Sequence, residues 1–162
     1  MSSNFERLIT LMFVGAALAI GSGAAAAATN PAVGTWEMNL AKSSIDAKDA
    51  PRSETFVFAL SDKGITLTTK ITSADGKQTS HTSDPTPWDG VAHATTDSTD
   101  HDSVMAKSVG AGIVRYSFTK AGAVTNSGTL AVSKDGTMLT IAGARSSAKG
   151  SKSYYNSVFD RK

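Results

Sequence analysis

Apolar and polar positions alternate with a period of two in one run after another. Phe56, Phe58 and Leu60 alternate with Val57 and Ala59; Ile65, Leu67 and Ile71 alternate with Thr66, Thr68 and Lys70; Val114, Tyr116 and Phe118 alternate with Arg115 and Ser117. A period of two places every second side chain on one face, so each run predicts a strand with one apolar side. Between the runs stand residues suited to tight turns: Asp62-Lys63-Gly64, Asp75-Gly76, Asp89-Gly90, Ala121-Gly122, Asp135-Gly136 and Lys149-Gly150. The pattern predicts strands over 33–39, 54–61, 64–72, 77–83, 91–95, 103–108, 113–119, 123–133, 137–145 and 152–160. No helical stretch is long enough for a crossover. The expected fold is therefore all-β, an antiparallel up-and-down barrel of about 8–10 strands, whose closure would remove exposed edges, or a strongly curled sheet. Residues 40–53, with Pro51, read as a long connection holding a short helical turn and placed to cover one barrel end.

A different pattern precedes the strands. Leu8, Ile9, Leu11, Met12, Phe13 and Val14 form a short apolar core, followed by an alanine-rich run ending at Ala28. That order suits a secretory signal peptide over residues 1–28, cut after Ala28 or after Ala26. A retained membrane anchor is the competing account, weakened because the second half of the segment is Ala and Gly, which are poorly apolar. The signal peptide leaves one domain over 29–162, periplasmic or secreted.

Composition sharpens the fold class. From Thr29 onward the chain holds 18 Ser and 18 Thr but Glu only at Glu37 and Glu54, which disfavours helix throughout. It has no cysteine, so disulfides, thiolate metal sites and cysteine nucleophiles are excluded. A net charge of +2 is too small for a nucleic-acid partner, and none is expected. The charge is split, however: residues 29–102 carry 6 basic and 11 acidic groups, and 103–162 carry 9 and 2. Sequential strands around a barrel would turn this split into an acidic wall and a basic wall, the latter suited to weak contact with an anionic envelope surface.

Gly34-Thr35-Trp36 opens the first strand and Asp160-Arg161 closes the last. Gly-x-Trp in that place resembles the opening motif of lipocalin-like (calycin-type) barrels, including their fatty-acid-binding and avidin-like relatives. The resemblance implies that Gly34, Trp36 and Arg161 close one barrel end, with the guanidinium stacked on the indole. Asn39-Leu40-Ala41-Lys42-Ser43, Trp88-Asp89-Gly90, Ser133-Lys134-Asp135-Gly136, Leu139-Thr140 and Phe159-Asp160-Arg161 extend the likeness to most of the mature chain. Together they resemble a group of uncharacterised secreted bacterial β proteins, which implies a fold and no activity. Residues 60–68 also align with 132–140 at an offset of 72, which turn chemistry explains as well as duplication does.

The candidate chemistry is sparse. Asp97, Asp100, His101 and Asp102 offer metal-ligand types in a spacing that fits no standard loop, and a solvated acidic turn accounts for them more simply, so no metal is expected. Nucleophile-elbow, phosphate-loop and dinucleotide motifs are all missing, and no cofactor is expected. For a ligand cavity the residues to name are His81, Trp88, His93, Tyr116 and Tyr155, each joining a polar tip to a large or apolar body. Tyr154 and Tyr155 face opposite ways, so only one of them looks inward. Three readings follow in order: a binder of a small apolar or amphiphilic molecule, a packed barrel acting through its outer surface, and an isomerase, cyclase or hydrolase with His81 or His93 as base.

Overall fold

The structure, a computed structural model, describes residues 30–45, 50–147 and 150–162. The signal-peptide expectation, and residues 46–49 of the long connection, lie outside them. Ten strands follow one another: β1 (Gly34–Met38), β2 (Ser53–Ser61), β3 (Gly64–Thr72), β4 (Gln78–Thr82), β5 (Asp89–Ala94), β6 (Ser103–Gly110), β7 (Ile113–Lys120), β8 (Ala123–Val132), β9 (Met138–Ser146) and β10 (Lys152–Arg161). All pair antiparallel in one curled sheet of order β4-β3-β2-β1-β10-β9-β8-β7-β6-β5. The described residues are thus all-β and up-and-down, with β1 meeting β10 through Trp36–Arg161 and Met38–Phe159.

The turns behave as their residues dictate. Ser73 donates its hydroxyl to Asp75 at 2.6 Å while Asp75 accepts the Lys77 amide at 3.0 Å. Ser133, Asp135 and Thr137 repeat this at 2.6 and 3.1 Å. These hydrogen bonds hold the Asp75 and Asp135 carboxyls below the usual carboxylate range, the serine hydroxyl being the larger cause in each. The local twin of 133–137 is therefore 73–77, whereas 61–64 is a tighter two-residue turn in which Ser61 pairs with Gly64. The two segments related by the offset of 72 therefore close with different turns, which gives no support to a duplicated unit. At the head of the long connection, Ser43 donates its amide to Asn39 at 3.1 Å in a single helix-like turn.

Of the two expected forms, the strongly curled sheet is the one observed. β4 and β5, the two ends of the strand order, have no ladder between them among the described residues. The segment between them contains Pro85 and Pro87, which carry no amide proton to donate. Instead, side chains bridge the seam: Thr95 Oγ1 donates to Asp84 at 3.1 Å, the Thr96 amide donates to Asp84 at 2.9 Å, and the Asp84 amide donates to Asp97 at 3.0 Å. The Thr96 amide and then the Thr95 hydroxyl lower the Asp84 pKa.

The packed core sits toward the end where β1, β3, β7 and β9 begin. Trp36, Leu139 and Phe159 are fully buried there, with Phe58, Ile65, Val114, Leu130 and Val132 around them. Trp36 donates its indole N–H to Ala32 O at 2.8 Å, and the Arg161 guanidinium lies 4.1 Å from the ring centroid. Arg161 also donates to the carbonyls of Val33, Pro31 and Gly136. Gly34 has φ +138°, and a Cβ there would stand 2.6 Å from the Arg161 Nη1, so the glycine makes room for the guanidinium. One departure from the alternation occurs at Leu60, which sits beside the turn and is 62% exposed instead of facing inward with Phe56 and Phe58.

Candidate functional site: a cavity above the core

Above this core the curled sheet encloses a cavity of about 750 Å³. Its lower wall is apolar, made by Phe58, Ile65, Leu67, Val114, Leu130 and Phe159. Its upper wall is polar, with Glu54, His81, Asp97, His101, Asn126 and Arg145. The division follows from strand direction. Glu54 stands near the start of β2, Asn126 near the start of β8 and Arg145 near the end of β9, all at the end opposite Trp36. Ile45 and Pro51, from the long connection, also border the cavity.

The most ordered polar feature crosses four strands. Tyr116 (β7), Gly128 (β8), Gly143 (β9) and Tyr155 (β10) are successive partners in one row. Each tyrosine lies flat over the adjacent glycine: a Cβ on Gly128 would come within 2.6 Å of the Tyr116 hydroxyl, and one on Gly143 within 2.7 Å of the Tyr155 hydroxyl. The two rings reach toward each other over this bare strip, and their hydroxyls meet at 2.5 Å. Tyr155 donates its proton to Asn126 Oδ1 at 2.7 Å, so Tyr116 donates to Tyr155 and the chain of bonds runs one way. Burial, and then the hydrogen bond to Tyr155, raises the Tyr116 pKa well above that of a free phenol. The Tyr116 hydroxyl is therefore a neutral donor and acceptor.

Two charges share the wall. The Arg145 guanidinium lies 5.3 Å from the Tyr155 ring centroid, and Arg145 pairs in register with Asn126. Burial pushes the Glu54 carboxyl up to about 7, only partly opposed by Arg145. Near neutral pH Glu54 can either donate or accept a hydrogen bond. At the seam, His81 Nε2 lies 2.7 Å from the Asp97 carbonyl, and His101 Nε2 lies 3.6 Å from the Asp97 carboxylate. Among the described residues no group of three or more His, Asp or Glu side chains is arranged to hold a metal ion. Of the suggested metal set, Asp97 and His101 approach one another, whereas Asp102 instead accepts the Ala121 amide at 2.8 Å.

The five residues named from sequence divide. His81, Trp88, Tyr116 and Tyr155 line the cavity, and the two tyrosines touch. His93 does not line it: its Nε2 is held by Asp89 at 3.1 Å, across the bulge that interrupts β5. Tyr154 is 80% exposed, so Tyr155 is the inward member of that pair. Glu54, Asn126 and Arg145 were not singled out from sequence, yet the alternation marks them. Glu54 has the parity of Phe56 and Phe58, Asn126 that of Leu130, and Arg145 that of Ile141, so each is a polar residue on an inward face.

No family model matches the chain, and no curated protein is similar to it. Among solved structures, the crystal structure of zebrafish ileal bile acid-binding protein complexed with cholic acid aligns with a TM-score of 0.47 and 10% identity, over 82% of this chain and 99% of that one.

Proposed function

We propose that this chain is a periplasmic or secreted binding protein for a small amphiphilic molecule, which it holds without chemical change. The observation that carries the reading is the 750 Å³ cavity with an apolar lower wall and a polar upper one. That volume lies within the range of small-molecule sites, in which apolar contact supplies affinity and a few polar groups set orientation. The apolar body of the ligand rests on Phe58, Leu67 and Leu130, and its polar group faces Glu54, Asn126 and Arg145. The signal-peptide pattern before Thr29 supports the envelope destination. A carrier agrees with the site better than an enzyme does, because His93 lies off the cavity and His81 is engaged with Asp97.

A hollow interior also disfavours a packed barrel acting only through its surface. The strand order nevertheless keeps the two charge halves apart, with β1–β4 contiguous on one side and β6–β10 on the other. The basic half supports weak contact with an anionic envelope surface as an accessory property.

Native mass spectrometry of the protein purified from its own envelope, compared with its denatured mass, tests the proposal. The expected result is a reproducible extra mass lost on denaturation. A bare mass, together with failure to take up an environment-sensitive apolar dye, would overturn it.

A further inference from the structure

We infer that the ligand of this cavity is a flat, conjugated ring system carrying a small polar group, and not a flexible alkyl chain. The inference rests on the binding function just proposed and narrows its ligand class. Nine aromatic residues occur in the described chain, and eight of them line this one cavity, Tyr154 only at its rim, where it is 80% exposed. The ninth is Trp36, buried in the core below.

Their placement matters more than their number. On one wall, Phe56 packs edge-on to Phe58 with centroids 6.2 Å apart, and Phe58 packs edge-on to Trp88 at 6.3 Å. On another wall, Phe118 meets Tyr116 at 5.7 Å and the His101 ring at 4.6 Å. Phe56 and Phe58 stand on β2 and Tyr116 and Phe118 on β7, which are five positions apart in a ten-strand order, while Trp88 and His101 lie just before β5 and β6. In a sheet curled on itself, five of ten is the opposite side. The β2 pair and the β7 pair thus face one another across the cavity, while aliphatic Leu130 and Ile141, and aromatic Tyr155 and Phe159 of β10, come from strands between them.

Opposed aromatic walls favour one shape of guest. A fused-ring ligand meets ring faces and edges on both sides, and each such contact strengthens binding about two- to tenfold beyond the area it buries. An alkyl chain gains only the area term from the same rings, and it loses rotamer freedom on entry. The polar group of the ligand is small and hydroxyl-like in this reading, because Glu54 near its titration point and the Asn126 amide can each exchange a hydrogen bond with it.

The test compares two alcohols that share a hydroxyl head, 1-pyrenemethanol and 1-dodecanol, by isothermal titration calorimetry on the wild-type chain and on Phe56→Leu and Phe118→Leu. The wild type is expected to bind 1-pyrenemethanol at least tenfold more tightly. Each leucine variant should weaken that probe by about two- to tenfold, and leave 1-dodecanol within about twofold because leucine keeps the wall apolar. Phe118→Tyr, which keeps the ring, should retain the wild-type preference and guards against a leucine variant that fails to fold. Tighter binding of 1-dodecanol, or equal losses for both probes in the leucine variants, would overturn the ligand class while leaving a binding cavity intact. Binding of neither probe would overturn the cavity's binding function and the ligand class with it.

Discussion

At the residue scale, Glu54 is the group whose shifted titration falls near neutral pH. It sits in the cavity wall, and burial, the leading cause, raises its pKa from 4.5 to about 7 despite Arg145. The folded state therefore holds this proton more tightly than the unfolded chain does. Its stabilising contribution is complete below about pH 4.5 and is lost as pH rises through about 7, where a carboxylate must be kept out of water. Glu54→Gln keeps the shape and removes the titration. Urea unfolding should show the variant close to wild type at pH 4 and more stable by about 1–2 kcal/mol at pH 8. Equal stability at both pH values would mean that Glu54 is solvated rather than buried. Ala121 is strained for another reason: at φ 48° it adopts a left-handed conformation that glycine or asparagine tolerates better.

The tyrosine pair acts at the scale of strands, because its two rings lie over glycines that are themselves partners. Gly128 and Gly143 face each other in the β8–β9 ladder, and a strip without side chains would weaken this part of the sheet if nothing covered it. Tyr116 and Tyr155 cover it and join β7 to β10 through one hydrogen bond. Tyr155→Phe removes both its donor and its acceptor, leaving the Tyr116 hydroxyl and Asn126 without their partner, and should cost about 1–3 kcal/mol. Tyr116→Phe removes only the outer link and should cost about 0.5–1.5 kcal/mol. In a double-mutant cycle followed by urea unfolding, the double variant should cost less than the sum, since both changes break the same bond. Additive losses would show that the hydroxyls do not act together.

The elements themselves were legible in the sequence, for a specific physical reason. A period of two, punctuated by Asp-Gly and Lys-Gly turns, leaves little choice but short antiparallel strands, and all ten fall where the alternation places them within a few residues. Less legible was whatever depends on contacts between distant strands. The seam between β4 and β5 stays open because of which residues meet there: Pro85, Pro87, and Asp84 reaching to Thr95 and Thr96. No periodicity announces that. The Tyr116–Tyr155 contact similarly requires a register in which Gly128 and Gly143 stand between the rings, and register is set by the whole sheet. Glu54, by contrast, could have been found from parity alone, as a charged residue in phase with Phe56 and Phe58.

For the molecule as a whole, the arrangement is solid at one end and hollow at the other, so the same chemical deletion should have unequal effects. Leu139 is fully buried between its register partners Val132 and Phe159 and does not itself line the cavity. Its truncation removes packed methyl groups that neighbours cannot replace, and Leu139→Ala should cost about 2–5 kcal/mol. Ile71 has the same number of side-chain carbons but lines the cavity and is only partly buried. One side of it already lacks packing partners, so Ile71→Ala forfeits fewer contacts and should cost about 1 kcal/mol or less. The measurement is paired urea unfolding of both variants in ligand-free protein. A barrel packed from end to end would make the two losses similar, whereas a hollow upper half makes Leu139→Ala at least twice as costly. Ligand should narrow that contrast, because binding stabilises the folded state by RT ln(1 + [L]/Kd). A filled cavity lends Ile71 the contacts it lacked, so Ile71→Ala should become more damaging with ligand present than without it, and Leu139→Ala should not.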